Sequence, residues 1–461
     1  MFTGRLRQAG DEPARGVSKV PSGLRDLGTA GRWLTAVAAL VILATSCSED
    51  RSTADATTST TSAGTAACAD DLVACANRSS LGDVLPDSAS AAEGEPIVLG
   101  MINQENTPVG SYPELSSATR AAIEFVNAEL GGVHGRPLEL EVCNTEFSPE
   151  GSTACAQKFV QAGVPAVLGA IDVFGTGIDT LEENGIPFVG GIPVSEQAVT
   201  AGNSFQWSGG TWGATIAFAH HAATEVDADS VAIVYPEYGP ITDSAGYGKT
   251  TLEQLGVTDV VMVPYPITAT DLTSPIQAAN SSFPDALIML AADTGCSGAF
   301  DGISTVGVTA QVYLVGACAA PRIIEGAGPE KTDGTIFNVE GPIDRSEKNV
   351  DFSLYQAVAQ RYGDGFDPVG AGTVTFRSFM NLYRVLLGLD AEELTPEGIA
   401  AALATQDDTP SFMGHPSTCD QQQLKGLPAV CSPQQILARL TDGDLEQLGD
   451  WVDVGEIYGR T

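Results

Sequence analysis

From residue 96 onward, short apolar runs alternate with segments whose apolar positions recur at helical spacing. Ile97–Ile102 is apolar on both faces, as a strand is when helices cover both sides of its sheet. Between Leu115 and Leu130, residues Ala118, Ala122, Phe125, Val126 and Leu130 share one helical face, and Gly131-Gly132 stops the helix. Leu138, Leu140 and Val142 alternate as a strand. A helix over 153–162 leads to a strand at 166–170, and a helix over 178–184 leads to one at 186–190. The rhythm resumes with strands at 231–235, 260–263, 286–290, 312–315 and 335–339. Such alternation predicts an α/β fold with mainly parallel sheets. Roughly nine strands exceed what one small domain holds, so the pattern predicts two doubly wound lobes with ligands beyond the carboxyl ends of the strands.

The N-terminal pattern is different. Residues 1–32 hold six Lys or Arg and three acids, and an apolar run follows from Trp33 to Thr45, then Ser46-Cys47. A basic region, a short apolar region and small residues describe an export signal. The run is shorter than the roughly 20 residues a membrane-spanning helix needs. Leu43-Ala-Thr-Ser-Cys47 resembles a bacterial lipobox, which implies a signal peptide over 1–46, a lipid on Cys47 and anchoring at the outer face of the cell membrane. Residues 47–94, rich in Ser, Thr, Ala and Asp, read as a flexible tether, because they offer too little apolar surface to offset the entropy of ordering.

Charge narrows the partners. Across 461 residues, 58 acids stand against 22 bases, a formal net charge of −36. Nucleic acid and anionic lipid surfaces both need clustered Lys and Arg, so neither fits this balance. Cysteines agree with export. Leaving out Cys47, eight remain in neighbouring couples, and the economical pairing is sequential: Cys68–Cys75, Cys143–Cys155, Cys296–Cys318 and Cys419–Cys431. Other pairings stay open at this level. The couples lack zinc-site spacing and the four histidines are scattered, so no metal or cofactor is expected.

The segment Gly131-Gly-Val-His-Gly-Arg-Pro-Leu-Glu-Leu-Glu-Val142, following the helix that carries Ala121–Glu129, resembles type I periplasmic-binding proteins of the leucine/isoleucine/valine-binding group. The segments 159–169 and 183–189 are similar to the same family. The resemblance covers about residues 95–461. It implies two lobes joined by three crossovers, the first holding 95–208 and 336–408, the second 209–335 and 409–461. It also implies a monomeric receptor of an ABC importer that closes on a small solute and docks on a permease, without covalent chemistry. A ligand-sensing ectodomain would use the same cleft, and a secreted enzyme is the remaining alternative.

Members of that family hold an amino acid's carboxylate with first-lobe hydroxyls and backbone amides, and its ammonium with a second-lobe aromatic and acid. Here the matching first-lobe segments, 169–176 and 189–196, offer Asp172 and Pro193-Val194 in place of the usual serine, alanine and threonine. The aromatic falls near Ala292 or Asp293 and the acid near Gly316. A buried ammonium without a partner is costly. The resemblance keeps an amino-acid-like solute among the expectations, and a less charged or more apolar solute, or a cationic one, fits at least as well as a branched-chain amino acid. The candidate contacts are Asn103, Gln104, Tyr112, Asp172, Val173, Phe174, Pro193, Val194, Trp212, Tyr235, Tyr238, Asp293 and Thr294, all near strand ends.

Enzyme motifs are weak. Gly248-Lys249-Thr250 ends like a phosphate-binding loop, but Asp243 stands where the loop needs its first glycine, and an acid there repels phosphate. No Gly-x-Ser-x-Gly elbow is present.

Overall fold

The computed structural model describes residues 68–461 except 87, 108, 109, 293, 340, 342, 345, 347, 367 and 369, and the side chain of Thr294. The expected signal peptide, Cys47 and the candidate Asp293 lie outside the described residues.

Two sheets organise the body. The first has order β2-β1-β3-β4-β5 and is parallel throughout: β1 is Ile97–Asn103, β2 Leu138–Asn144, β3 Val167–Gly169, β4 Phe188–Val189 and β5 Ser204–Phe205. The second runs β12-β11-β10-β9-β8-β6-β7, with β6 Ser230–Pro236, β7 Asp259–Tyr265, β8 Ala286–Met289, β9 Gln311–Leu314, β10 Ile336–Val339, β11 Gln435–Thr441 and β12 Asp444–Val452. Strands β6 to β10 are parallel, and β11 and β12 add an antiparallel edge.

The expected helix over 115–130 is Pro113–Glu129, begun by a proline that needs no partner for its missing N–H. The helix expected from 153 starts earlier, at Pro149, because Ser148 caps it by accepting from the Gly151 N–H at 2.9 Å. Central strands bury fully: Leu99, Met101 and Ile102 in β1, and Val231–Val234 in β6, are shut off from solvent. Each sheet has its own apolar core.

Three expectations are corrected. Residues 68–94 are not a free tether from end to end. The helix Leu72–Ala76 and Leu81 bury against the first lobe, tied by the Cys68–Cys75 disulfide. Arg361 donates to the Ala69 carbonyl at 2.6 Å, Arg384 to that of Ser80 at 2.8 Å, and Asp351 accepts the Ser80 N–H and hydroxyl at 2.8 and 2.7 Å. The apolar Leu72-Val73 pair between the two cysteines supplies the surface that a Ser/Thr tract lacks.

The lobe boundaries also move. β10 starts at the position assigned to the first lobe, 336, yet pairs with β9 and β11 in the second sheet. The chain returns to the first lobe only for the helices Val350–Tyr362, Gly372–Leu387 and Pro396–Ala404. Residues Phe412, Met413, Cys419 and Cys431, assigned to the second lobe, pack in the first-lobe core. At the hinge, Gln206 accepts the Cys431 N–H and donates its own to Ala429, both at 2.8 Å, so the first and last crossovers lie side by side. The four couples of cysteines are all bonded sequentially.

Candidate functional site

A cleft of about 480 Å³ opens between the sheets. Its wall comes largely from residues at or just past carboxyl ends of strands: Gln104 after β1, Ile171 after β3, Ile192 after β4, Pro236 and Tyr265 closing β6 and β7, Leu290 after β8, Val315 after β9 and Asn338 in β10. Parallel strands leave their ends unoccupied by hairpins, so both sheets deliver loops to one face.

The lining is mostly apolar. Ile171, Val173, Ile192, Val194, Ala214, Ile241, Ile267 and Leu290 contribute, with Tyr112, Phe147, Phe352 and Met413. Among the described residues, Glu114, Arg322 and Arg377 are the charged members. The Tyr265 hydroxyl donates to the Leu290 carbonyl at 2.6 Å, and burial pushes its pKa up, so it stays neutral. Gly210 starts the helix Gly210–Thr224 with φ 54°, and a Cβ there would lie 2.1 Å from the Pro193 carbonyl oxygen. Only glycine lets the two lobes approach so closely at this wall.

Four candidates line the cleft: Gln104, Tyr112, Val173 and Val194. Gln104 is 2% exposed. Its amide nitrogen donates to the Gly110 carbonyl at 3.1 Å, while its Oε1 has no hydrogen-bond partner. Thr211, in the first turn of the helix Gly210–Thr224, also lines the cleft with a buried hydroxyl oxygen that has no partner. Thr294 opens the helix Thr294–Val306 beside the lining residues Ala292 and Gly295.

The other described candidates hold the walls in place. Asn103 is buried and donates to the Tyr112 carbonyl at 2.8 Å and to Ser116 at 3.0 Å, which fixes the loop after β1. Asp172, expected to meet the solute, turns inward. It accepts from the Ser152 hydroxyl at 2.6 Å and from the N–H groups of Phe174 and Gly175 at 3.3 and 3.1 Å. Burial raises its pKa, against the lowering effect of those three donors. Trp212 is a core residue, 1% exposed, whose indole N–H donates to Asp243 at 3.0 Å. Asp243 thus belongs to the helix Gly239–Gln254, not to a phosphate loop. Tyr235 is buried in the second-lobe core and Pro193 is buried behind Val194.

Phe174 and Tyr238 form a contact between the lobes. Phe147, Phe174 and Tyr238 meet edge to face with centroids 5.2 and 5.8 Å apart, and the Tyr238 hydroxyl donates to the Val173 carbonyl at 2.9 Å. The Tyr238 pKa is raised, first by burial and then by the nearby Asp172 charge.

Most lining residues were missed because Ile, Ala, Thr and Gly at strand ends look like ordinary core or turn residues. Position just past a strand's carboxyl end was the usable signal, and it reaches Ile171, Ile192, Leu290 and Val315. No helix among the described residues is long and apolar enough to cross a membrane, and none of their His, Cys, Asp and Glu groups gathers as a metal site.

Solved structures share this architecture. A leucine-binding protein from Thermotoga maritima superposes with a TM-score of 0.62 at 16% identity, covering 77% of this chain and 98% of its own. A branched-chain amino acid transporter substrate-binding protein from Streptococcus pneumoniae, in complex with isoleucine, gives 0.63 at 13% identity, covering 78% and 99%. A fatty acid ABC transporter substrate-binding protein from Thermomonospora curvata gives 0.66 at 17% identity, covering 81% and 97%. These neighbours are substrate-binding proteins, not enzymes. No curated protein matches the chain by sequence. The family model described as periplasmic binding protein matches residues 96–425. With its two parallel sheets, shared cleft and that match over most of its length, the chain belongs to the periplasmic binding protein family.

Proposed function

We propose that the protein is a lipid-anchored, monomeric solute receptor of an ABC importer, and that its solute is larger and more apolar than a branched-chain amino acid. The cleft lining carries this reading. A small amphoteric amino acid needs a partner for each of its charges, since burying an unpaired charge is costly. The wall offers chiefly aliphatic and aromatic carbon, with backbone, a few hydroxyls and amides, and the charged Glu114, Arg322 and Arg377, each already engaged within the protein. Volume supports the same reading. A cleft of about 480 Å³ falls in the roughly 300–1,000 Å³ range of pockets that enclose drug-sized ligands, which are larger than leucine. Among the structural neighbours, the fatty acid ABC transporter substrate-binding protein from Thermomonospora curvata is named for a solute of this apolar character.

Closure of the lobes about the hinge would cover the solute and present both rims to a permease. The Phe147–Phe174–Tyr238 contact would lie across the closed mouth. Cleavage before Cys47 and lipidation of its thiol would keep the receptor at the outer membrane face.

Thermal unfolding of the purified protein with L-leucine, decanoic acid, decan-1-ol and decanamide tests the solute class. A ligand at a hundredfold excess over its Kd stabilises by about 2.7 kcal/mol. Decyl compounds should raise the melting temperature and leucine should not; the reverse order would sink the reading. Labelling cells with an alkyne fatty acid tests the anchor: label should enter the protein and be lost in Cys47→Ser.

A further inference from the structure

Resting on the apolar-solute reading, we propose that the cleft selects an apolar molecule with an uncharged, hydrogen-bond-donating head, such as a primary amide or an alcohol, held between Gln104 and Thr211. Gln104 is 2% exposed and lines the cleft. Its orientation is fixed by chemistry. The amide nitrogen donates to the Gly110 carbonyl at 3.1 Å, and turning the amide over would set two carbonyl oxygens against each other. What remains is Oε1, a buried acceptor with no donor. Such an atom is expensive to leave unmet and rejects any group that brings another lone pair. A carboxylate brings only lone pairs to that oxygen. An amide N–H or an alcohol O–H brings the missing donor.

Thr211 adds a second contact. Its hydroxyl oxygen is buried without a partner, and a hydroxyl can both donate and accept. It therefore complements the carbonyl of an amide or the oxygen of an alcohol whose proton goes to Gln104. Gln104 follows β1 of the first lobe, and Thr211 stands on the first helix of the second. A head that engages both couples recognition to closure, while the apolar tail lies along Val173, Val194 and Ile241.

Isothermal titration of the whole protein with decanamide, decan-1-ol and decanoic acid tests the assignment, with Gln104→Leu and Thr211→Val as variants. Decanamide and decan-1-ol should bind at least about tenfold more tightly than decanoic acid. Each variant should weaken decanamide about tenfold, the effect of one lost hydrogen bond, and Gln104→Leu should tighten decanoic acid by removing the lone pair that opposes its carboxylate. Unliganded melting temperatures near that of the parent would show that the variants fold. Decanoic acid binding best, or unchanged decanamide affinity in both folded variants, overturns the head-group assignment alone. Binding of L-leucine with no decyl compound bound overturns the apolar-solute reading and this assignment with it.

Discussion

Two loops leave neighbouring strands of the first sheet and put a buried polar side chain beside the same cleft, yet they use it in opposite ways. The loop after β3 carries Asp172, and the loop after β1 carries Gln104. Asp172 is a charge, and burying it demands donors; the Ser152 hydroxyl and two backbone N–H groups supply them. Those donors all come from the first lobe, so the charge is consumed in shaping the wall. Gln104 is neutral and can stay half satisfied, with its nitrogen holding Gly110 and its oxygen left over. The buried charge at one strand end serves architecture, and the half-satisfied neutral amide at the other is the one proposed for recognition.

The strongest way to break this contrast is Asp172→Ala. It strands the Ser152 hydroxyl and two N–H groups, so stability should fall by about 2–4 kcal/mol in urea titration. An unchanged midpoint would remove Asp172's structural role and return it to the list of solute contacts.

The pH dependence sharpens the point with a smaller effect. Burial raises the folded-state pKa of Asp172 above its ordinary 3.8. The folded protein then holds this proton to higher pH than the unfolded chain does. The stability so gained is full below 3.8 and is lost as pH rises through the raised value. Asp172→Asn never ionises, so the stability difference between variant and parent should shift in the variant's favour as pH rises from 3.8 through the raised value. A difference that is flat across that range would contradict the raised pKa.

Tyr238→Phe tests whether the loop after β3 also latches the lobes. Losing the bond to the Val173 carbonyl should cost about 1 kcal/mol of closure, lowering the ratio of closed to open molecules roughly fivefold. Fluorophore pairs on the two lobes would report that change, and an unaltered distance distribution would mean the aromatic packing alone holds the contact.

The smallest effect belongs to Gln104→Leu in the unliganded protein. The Gly110 carbonyl keeps the Thr107 hydroxyl as donor, and the unmet Oε1 is gone. Stability should stay within about 0.5 kcal/mol of the parent. A loss as large as that of Asp172→Ala would show that Gln104, too, is spent on the fold.

Much of the fold was legible because its signals are local. Alternating periodicities located most strands of both sheets, and paired glycines marked one helix end, while the Ser148 cap that starts a helix at Pro149 went unread. Phe188–Val189 fell within an expected strand, whereas Ser204–Phe205 was missed, because two residues carry no period and only pairing with Phe188–Val189 makes them part of the sheet; the antiparallel edge Gln435–Thr441 and Asp444–Val452 was missed as well. The segment 68–94 was misread for a related reason. Its composition is that of a tether, and what orders its first part is a disulfide and two arginines almost three hundred residues away.

The sequence by itself determined the class of architecture, the two-lobe count and the economical cysteine pairing, because each rests on residue type and spacing along the chain. Only the tertiary structure decided which polar groups are used up and which are left. Asp172 and Trp212 drew attention by their chemistry, but their partners Ser152 and Asp243 lie twenty and thirty-one residues away and absorb them into the walls. Gln104 and Thr211 stand more than a hundred residues apart on different lobes. Hydrogen-bond satisfaction is a property of three-dimensional neighbours, so a side chain's availability to a ligand becomes readable only once the chain has chosen those neighbours.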